Sequence, residues 1–117
     1  MIPSVALLDT GQLSAMAAGS PELLLPILDD FESSARESLG AIRSALAGNP
    51  EPDSRSLLHQ LKGSSGSLGL IEFHELCARS EAAARQGAPL DPALPDQLED
   101  LLESSARAAR HYLQGEN

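Results

Sequence analysis

Apolar residues recur at three- and four-residue spacing in every segment between the glycine and proline clusters of the chain. This spacing places apolar side chains on one face of a helix, so the pattern predicts amphipathic α-helices. We expect a short first helix over about 10–18 and four longer helices over about 21–114. The connections are short, which favours antiparallel neighbours. The sequence therefore predicts an all-α, antiparallel four-helix bundle with a short extra N-terminal helix.

Capping residues and helix breakers predict where the first two helices begin and end. Asp9 or Thr10 is the expected N-cap of the first helix, and Gly19 is expected to stop it. Ser20 and a proline at the first helical position open the second helix, which continues to about residue 47. Pro26 lies past the first turn and removes one backbone hydrogen bond, which predicts a bend there or a start delayed to that residue.

The same signals delimit the remaining three helices. Asp53 can cap the third helix, which we expect to end near Gly69. The segment 48–50, Gly-Asn-Pro, separates it from the second helix. The fourth and fifth helices are predicted over about 71–86 and 95–114.

Each long helix has an apolar stripe that we expect to face the core. For the second helix the stripe comprises Leu24, Ile27, Leu28, Phe31, Ala35, Leu39, Ile42 and Leu46. The third helix carries Leu57, Leu58, Leu61 and Leu68, of which Leu57, Leu61 and Leu68 share one face. The stripe of the last helix comprises Leu98, Leu101, Leu102, Ser105, Ala108, Ala109 and Tyr112. No helix has a second continuous apolar stripe, so a monomer is expected.

Composition supports a single helical domain over residues 1–117. Hydrophobic residues make up 42% of the chain but aromatic residues only 3%, so leucine and alanine, both strong helix formers, must build the core. Strands lack the β-branched and aromatic residues that they favour. The chain has one cysteine, Cys77, and therefore no intramolecular disulfide.

Charge and hydropathy exclude several classes of partner. The formal net charge of -9 opposes nucleic acid, because nucleic-acid binding depends on Lys and Arg neutralising phosphates. No apolar run approaches the ~18 residues that a spanning helix needs, and no basic start precedes an apolar stretch. We therefore expect no membrane partner and a cytoplasmic location.

The segment 58–69 departs from the composition of its neighbours. It contains three glycines and three serines where the other helices use leucine and alanine. Each glycine inside a helix costs about 1 kcal/mol relative to alanine. Violations of local consistency tend to occur at functional sites, so this weakened helix is the candidate site.

A helical wheel at about 100° per residue gives this segment an orientation. His59 lies opposite the leucines of the stripe, so it is predicted to point away from the core. Gly63, Gly66 and Lys62 lie on the side of His59. Ser64 and Ser65 lie on the core side and are predicted to return their hydroxyls to carbonyls one turn earlier.

This arrangement suits attack by a solvent-facing imidazole nitrogen on a phosphoryl group that another macromolecule brings. A neutral imidazole has a nucleophilic lone pair without an activating base. Lys62, one turn after His59, can offset the negative charge of an attached phosphoryl group. The glycines remove side-chain bulk and allow a partner to approach the helix closely.

The motif formed by these residues is His59-x-Leu61-Lys62-Gly63-Ser64-Ser65-x-x-Leu68-Gly69. It resembles the signature of histidine-containing phosphotransfer (HPt) domains, the four-helix bundles of multistep phosphorelays. The resemblance implies that His59 is the phosphoacceptor, Lys62 stabilises the phosphoryl group and Gly63 lets a receiver domain dock. It also implies transfer between His59 and the receiver aspartates of a hybrid sensor kinase and a response regulator. No cofactor is then needed, because magnesium is held by the receiver.

The docking surface is predicted around His59. Gly66 and Gln60 lie on or beside its face, and Leu58 and Leu70 are expected at an exposed rim. Gln60 departs from the small or hydroxyl residue common in the family, so we expect it to tune partner choice. The chain has no nucleotide-binding glycine loop or kinase motif, so it is predicted to carry phosphate without being an ATP-dependent kinase.

Two other functions remain open from the sequence. A non-catalytic helical adaptor would bind receivers without accepting phosphate. An enzyme using His59 as a general base would need an orienting carboxylate, yet no position three or four residues away holds one: these are Arg55, Ser56, Lys62 and Gly63.

A zinc site needs three or four ligands. His74 and Cys77 on the fourth helix could be two of these ligands, but His111 is the only further His or Cys candidate. We therefore expect His74 and Cys77 to serve packing and not metal binding.

Overall fold

The computed structural model describes residues 7–48 and 53–115, and within them it contains five α-helices and no strands. The helices are α1 (Thr10–Ala17), α2 (Pro21–Leu46), α3 (Ser54–Ser67), α4 (Ile71–Arg85) and α5 (Leu94–Leu113). The predicted helices match these bounds closely, and the predicted all-α class is confirmed. Asn49 and Pro50, part of the breaker expected after α2, lie outside the described residues.

Aspartate side chains cap two helices as predicted. The Gln12 backbone N–H donates to Oδ1 of Asp9 at 3.0 Å, and the Arg55 backbone N–H donates to Oδ1 of Asp53 at 3.1 Å. These bonds satisfy amide groups that have no partner within the helix. Helix α2 begins at Pro21 and includes Pro26, so the alternative of a delayed start was wrong.

The four long helices form two antiparallel pairs. Helix α3 packs mainly against α4, and α2 packs mainly against α5. Ion pairs between α2 and α5 give the direction, because residue numbers rise on one helix as they fall on the other. The pairs are Asp29–Arg110 at 2.6 Å, Arg36–Glu99 at 3.5 Å and Arg43–Asp96 at 3.0 Å.

Leucines of α1, α2, α3 and α5, with Phe73 and Cys77 of α4, fill the core. Phe31 of α2 meets Phe73 of α4 edge to face, with ring centroids 5.8 Å apart. Three predicted core positions were wrong, since Ile27, Leu46 and Tyr112 are 50%, 36% and 39% exposed. Ile27 and Tyr112 lie about 60° or more from the centre of the buried stripe of their helix. Leu46 is the last residue of α2, where the neighbouring helices no longer cover it.

The start of α1 is fixed to the turn between α3 and α4. The Asp9 backbone N–H donates to the carbonyl of Gly69 at 2.8 Å, and the Ile71 N–H donates to the carbonyl of Leu7 at 3.1 Å. Gly69 has a φ of 73°, and a Cβ there would lie 2.9 Å from the Asp9 carbonyl oxygen. A glycine is therefore required at this turn. Among the described residues, no helix is long and apolar enough to cross a membrane.

Candidate functional site

His59 projects from α3 with 62% of its side chain exposed, as the helical wheel predicted. Its Nδ1 lies 2.9 Å from Oε2 of Glu81 on α4. A carboxylate only accepts hydrogen bonds, so Nδ1 carries the hydrogen in this contact. In the neutral ring the lone pair is then on Nε2. The Glu81 carboxylate thus fixes both the tautomer and the orientation of His59.

Glu81 is the centre of the polar cluster around His59. It is only 2% exposed and shares the buried face of α4 with Phe73 and Cys77. Lys62 Nζ lies 2.7 Å from its Oε1, and the guanidinium of Arg85 lies 2.8 Å from its Oε2. The hydrogen bond from Lys62 is the largest cause that lowers the pKa of Glu81 to about 2, with His59 and Arg85 adding to it against the effect of burial.

Lys62 is joined to His59 through this shared carboxylate. Its side chain is 29% exposed, and its charge is paired with Glu81. The predicted neighbourhood of His59 and Lys62 is therefore present, although Lys62 does not stand free beside the ring. A further anion at His59 would compete with Glu81 for the ammonium group.

The two glycines on the side of His59 occupy different environments. Gly63 is exposed, and a Cβ there would meet no atom of a described residue within 4 Å. At Gly66 a Cβ would lie 2.9 Å from Nδ1 of His74, which is itself 2.8 Å from the carbonyl oxygen of Lys62. Gly66 therefore lets α4 pack closely on α3, whereas no contact among the described residues requires a glycine at position 63.

Two residues expected at the docking rim are buried. Leu58 and Leu70 are both 0% exposed, so neither can touch a partner while the bundle is folded. The predicted exposure of Leu70 was wrong because it assumed that α3 continues to this residue. Helix α3 ends at Ser67, so helical geometry does not give the direction of the Leu70 side chain. Leu58 was predicted to be exposed but is buried, because α3 packs against both α4 and α2. The buried face of α3 is therefore centred closer to Leu58 than the pattern of leucines indicated. Gln60 is exposed beside His59.

The two serines of the motif also differ. Ser65 is buried and donates to the carbonyl of Leu61 at 2.6 Å, which confirms its predicted structural role. Ser64 is exposed, so its predicted place on the core side was wrong. The buried face of α3 is centred on the side of Leu58 and Ser65, which explains why Ser65 is buried and Ser64 is exposed.

Glu81 and Arg85 were not among the site residues predicted from the sequence. The sequence predicted no orienting carboxylate for His59 because α3 has none, and this prediction was wrong, since α4 supplies Glu81. A signal was present: Phe73, Cys77 and Glu81 follow one another at four-residue spacing, which places a carboxylate on a buried face. A buried carboxylate needs partners, and these are the side chains around His59.

His74 and Cys77 occupy packing positions. Cys77 is buried, and burial is the main cause that raises the pKa of its thiol to about 12. His74 uses Nδ1 to contact the Lys62 carbonyl. In the described part of the chain, no three His, Cys, Asp or Glu residues are grouped so that they could hold a metal ion.

The chain matches a known family model. The model described as Hpt domain matches residues 26–108, a range that contains α3 and α4 in full. His59, Lys62, Gly63 and Glu81 all lie within it. No curated protein and no solved structure matches the chain.

Proposed function

The chain belongs to the Hpt domain family, and from this premise we propose that it carries a phosphoryl group on His59 between receiver aspartates of a hybrid sensor kinase and a response regulator. Hpt domains are phosphocarrier modules of two-component signalling, not kinases, and they interact with receiver domains. The choice of His59 as acceptor and of these partners is the proposal.

One observation carries this proposal: His59 is exposed while its Nδ1 is held by Glu81. The Nε2 lone pair attacks the phosphorus of a receiver aspartyl phosphate, and the bond between phosphorus and the aspartate oxygen breaks. The aspartate leaves as a carboxylate with the electron pair. The Nδ1 proton stays in the hydrogen bond to Glu81, whose negative charge stabilises the positive charge that the ring gains.

The receiver is proposed to dock over the exposed part of α3 beside His59. Gly63 offers a surface without side-chain bulk, and Gln60 lies at its edge. Gly66 contributes only its partly exposed backbone, because the His74 ring fills the space that a side chain at this position would occupy. In this proposal the chain acts as a cytoplasmic monomer without a cofactor of its own, and magnesium belongs to the receiver.

Phosphoryl transfer from a labelled receiver tests the proposal. The protein is incubated with a phosphorylated receiver, and label that is acid-labile and alkali-stable is counted, since this stability is typical of phosphohistidine. We expect labelling of the wild type, loss of labelling in His59→Gln, and wild-type labelling in His111→Gln, which changes another exposed histidine. Equal labelling of wild type and His59→Gln would contradict the proposal.

The adaptor alternative makes a different prediction in the same experiment. An adaptor would form a complex with the receiver and acquire no label on His59. The buried carboxylate that holds Nδ1 favours the carrier, because binding alone does not need a fixed tautomer of the ring.

A further inference from the structure

An open cavity of about 260 Å³ lies beside His59. Its walls are formed by the side chains of Arg55, Ser56, His59, Gln60, Glu81 and Arg85. In a helix, side chains lean towards the N-terminus, so the imidazole of His59 extends over the turn that holds Arg55 and Ser56. Because α3 and α4 are antiparallel, Arg85 approaches this same turn from the neighbouring helix.

The cavity is a local concentration of positive charge in a protein of formal net charge -9. Arg85 is bound to Glu81, but 59% of its side chain is exposed. Glu81 is also shared with Lys62 and His59, so one carboxylate serves two cations and a ring N–H. The guanidinium of Arg55 has no partner among the described residues.

Among the described residues, Glu81 is the only acidic side chain that lines the cavity. Asp53, at the start of α3, uses its carboxylate to accept from the Arg55 backbone N–H and the Ser56 hydroxyl. The two guanidinium groups are therefore the charged donors that face the cavity. Guanidinium groups bind the oxygens of phosphoryl groups through charge-assisted hydrogen bonds.

We propose that this cavity is an oxyanion site for the phosphoryl group bonded to Nε2 of His59, with Arg85 and Arg55 as its ligands. Arg85 exchanges its contact with Glu81 for the phosphoryl oxygens, while Lys62 and the His59 ring keep Glu81 paired. The inference rests on the proposed function, since it requires a phosphoryl group on His59. It extends that function by assigning two arginines that the motif around His59 does not contain.

The test uses a donor that needs no receiver. Phosphoramidate phosphorylates histidine as its own P–N bond breaks and ammonia leaves with the electron pair. The wild type, Arg55→Gln and Arg85→Gln are phosphorylated in this way, the donor is removed, and the phosphohistidine signal is followed by ³¹P NMR. Arg79→Gln is the matched control, because Arg79 is an exposed arginine of α4 that does not line the cavity.

We expect the phosphohistidine of Arg55→Gln and of Arg85→Gln to decay about threefold faster than that of the wild type, the scale of one exposed ion pair. Breaking the P–N bond moves electron density from the phosphoryl oxygens towards the ring, and a guanidinium bound to those oxygens opposes this movement. The Arg79→Gln protein should decay at the wild-type rate. Phosphorylation should also shift the Nε–H resonances of Arg55 and Arg85 and leave that of Arg79 unchanged.

Unchanged decay in both variants, together with unshifted arginine resonances, would overturn the oxyanion site. A second result would also overturn the oxyanion site: the variants slow transfer from a receiver but leave the decay rate and the arginine resonances unchanged. The arginines would then contact carboxylates of the partner and not the phosphoryl group. The proposed function fails separately, when phosphoramidate labels His59 but no phosphorylated receiver does. If neither donor labels His59, both proposals are wrong.

Discussion

Nδ1 of His59 on α3 lies 2.9 Å from Oε2 of Glu81, which follows twenty-two residues later on α4. The carboxylate is buried, whereas 62% of the His59 side chain is exposed. The contact therefore joins a fixed group inside the bundle to a ring that faces solvent. The tautomer and direction of the ring depend on the neighbouring helix and not on α3 alone.

Replacing Glu81 with glutamine should slow phosphoryl transfer to His59 by about tenfold, the scale seen when the partner that orients a functional histidine is removed. The amide is nearly isosteric, but it has no charge and can also donate, so Nδ1 is no longer held as the protonated nitrogen. ¹⁵N shifts of the His59 ring should show a larger fraction of the Nε2–H tautomer. Glu75→Gln, at an exposed position of α4, is the control. An unchanged tautomer ratio in Glu81→Gln would contradict the role of the carboxylate.

Stability should fall in acid through Glu81. Its pKa is lowered from 4.5 to about 2 in the folded protein, so its ionised form stabilises the fold above the unfolded pKa. This contribution is complete at neutral pH and is lost as pH falls from about 4.5 towards 2. Urea unfolding of wild type and Glu81→Gln should show a stability difference that is constant from pH 7 to about 5 and shrinks below that. A difference that does not vary with pH would refute the assignment.

Alanine at the two glycines of α3 should have opposite effects on stability. Gly63→Ala should raise the free energy of unfolding by about 0.5–1 kcal/mol, because its Cβ meets nothing and alanine favours the helix. Gly66→Ala should lower it by about 1 kcal/mol or more, because its Cβ would overlap the His74 ring. Chemical denaturation measures both values. The Gly66→Ala effect should disappear in a His74→Ala background, and its persistence there would exclude the proposed contact.

Removing the ammonium group next to His59 should weaken phosphorylation without unfolding the protein. We expect Lys62→Ala to accept phosphate from a receiver about tenfold more slowly, the effect of losing one charged hydrogen-bond donor. Circular dichroism should show intact helices, because Glu81 keeps Arg85 as a partner. Lys62→Arg, which keeps the charge, should recover part of the rate. Wild-type kinetics in Lys62→Ala would remove Lys62 from the mechanism.

A bulky side chain at Gly63 should block docking while the fold remains stable. Gly63→Gln adds volume on the exposed surface beside His59, where the described residues leave space. Affinity for a receiver, measured by titration calorimetry, should fall at least about tenfold, since close backbone approach is lost. Ser64→Gln, at the next exposed position, is the control for added bulk alone. A receiver that binds Gly63→Gln with wild-type affinity would show that the glycine has another purpose.

Local patterns predicted most of the fold. The Asp9 and Asp53 caps and the exposure of His59 depend on contacts within a few residues, and these were predicted correctly. Errors occurred where a pattern was extended beyond its element. Leu70 was placed on a wheel that ends at Ser67, and Ile27 lies at the edge of its stripe, where helix packing decides burial.

The sequence by itself determined the helices and the solvent-facing histidine with a lysine and a glycine at neighbouring positions of one helix. These features follow from backbone periodicity and capping, which residues close in the chain control. Only the tertiary structure decided that Glu81 and Arg85 stand beside His59. Spacing within one helix contains no information about the register of a neighbouring helix, because that register is set by how the buried side chains of both helices pack together.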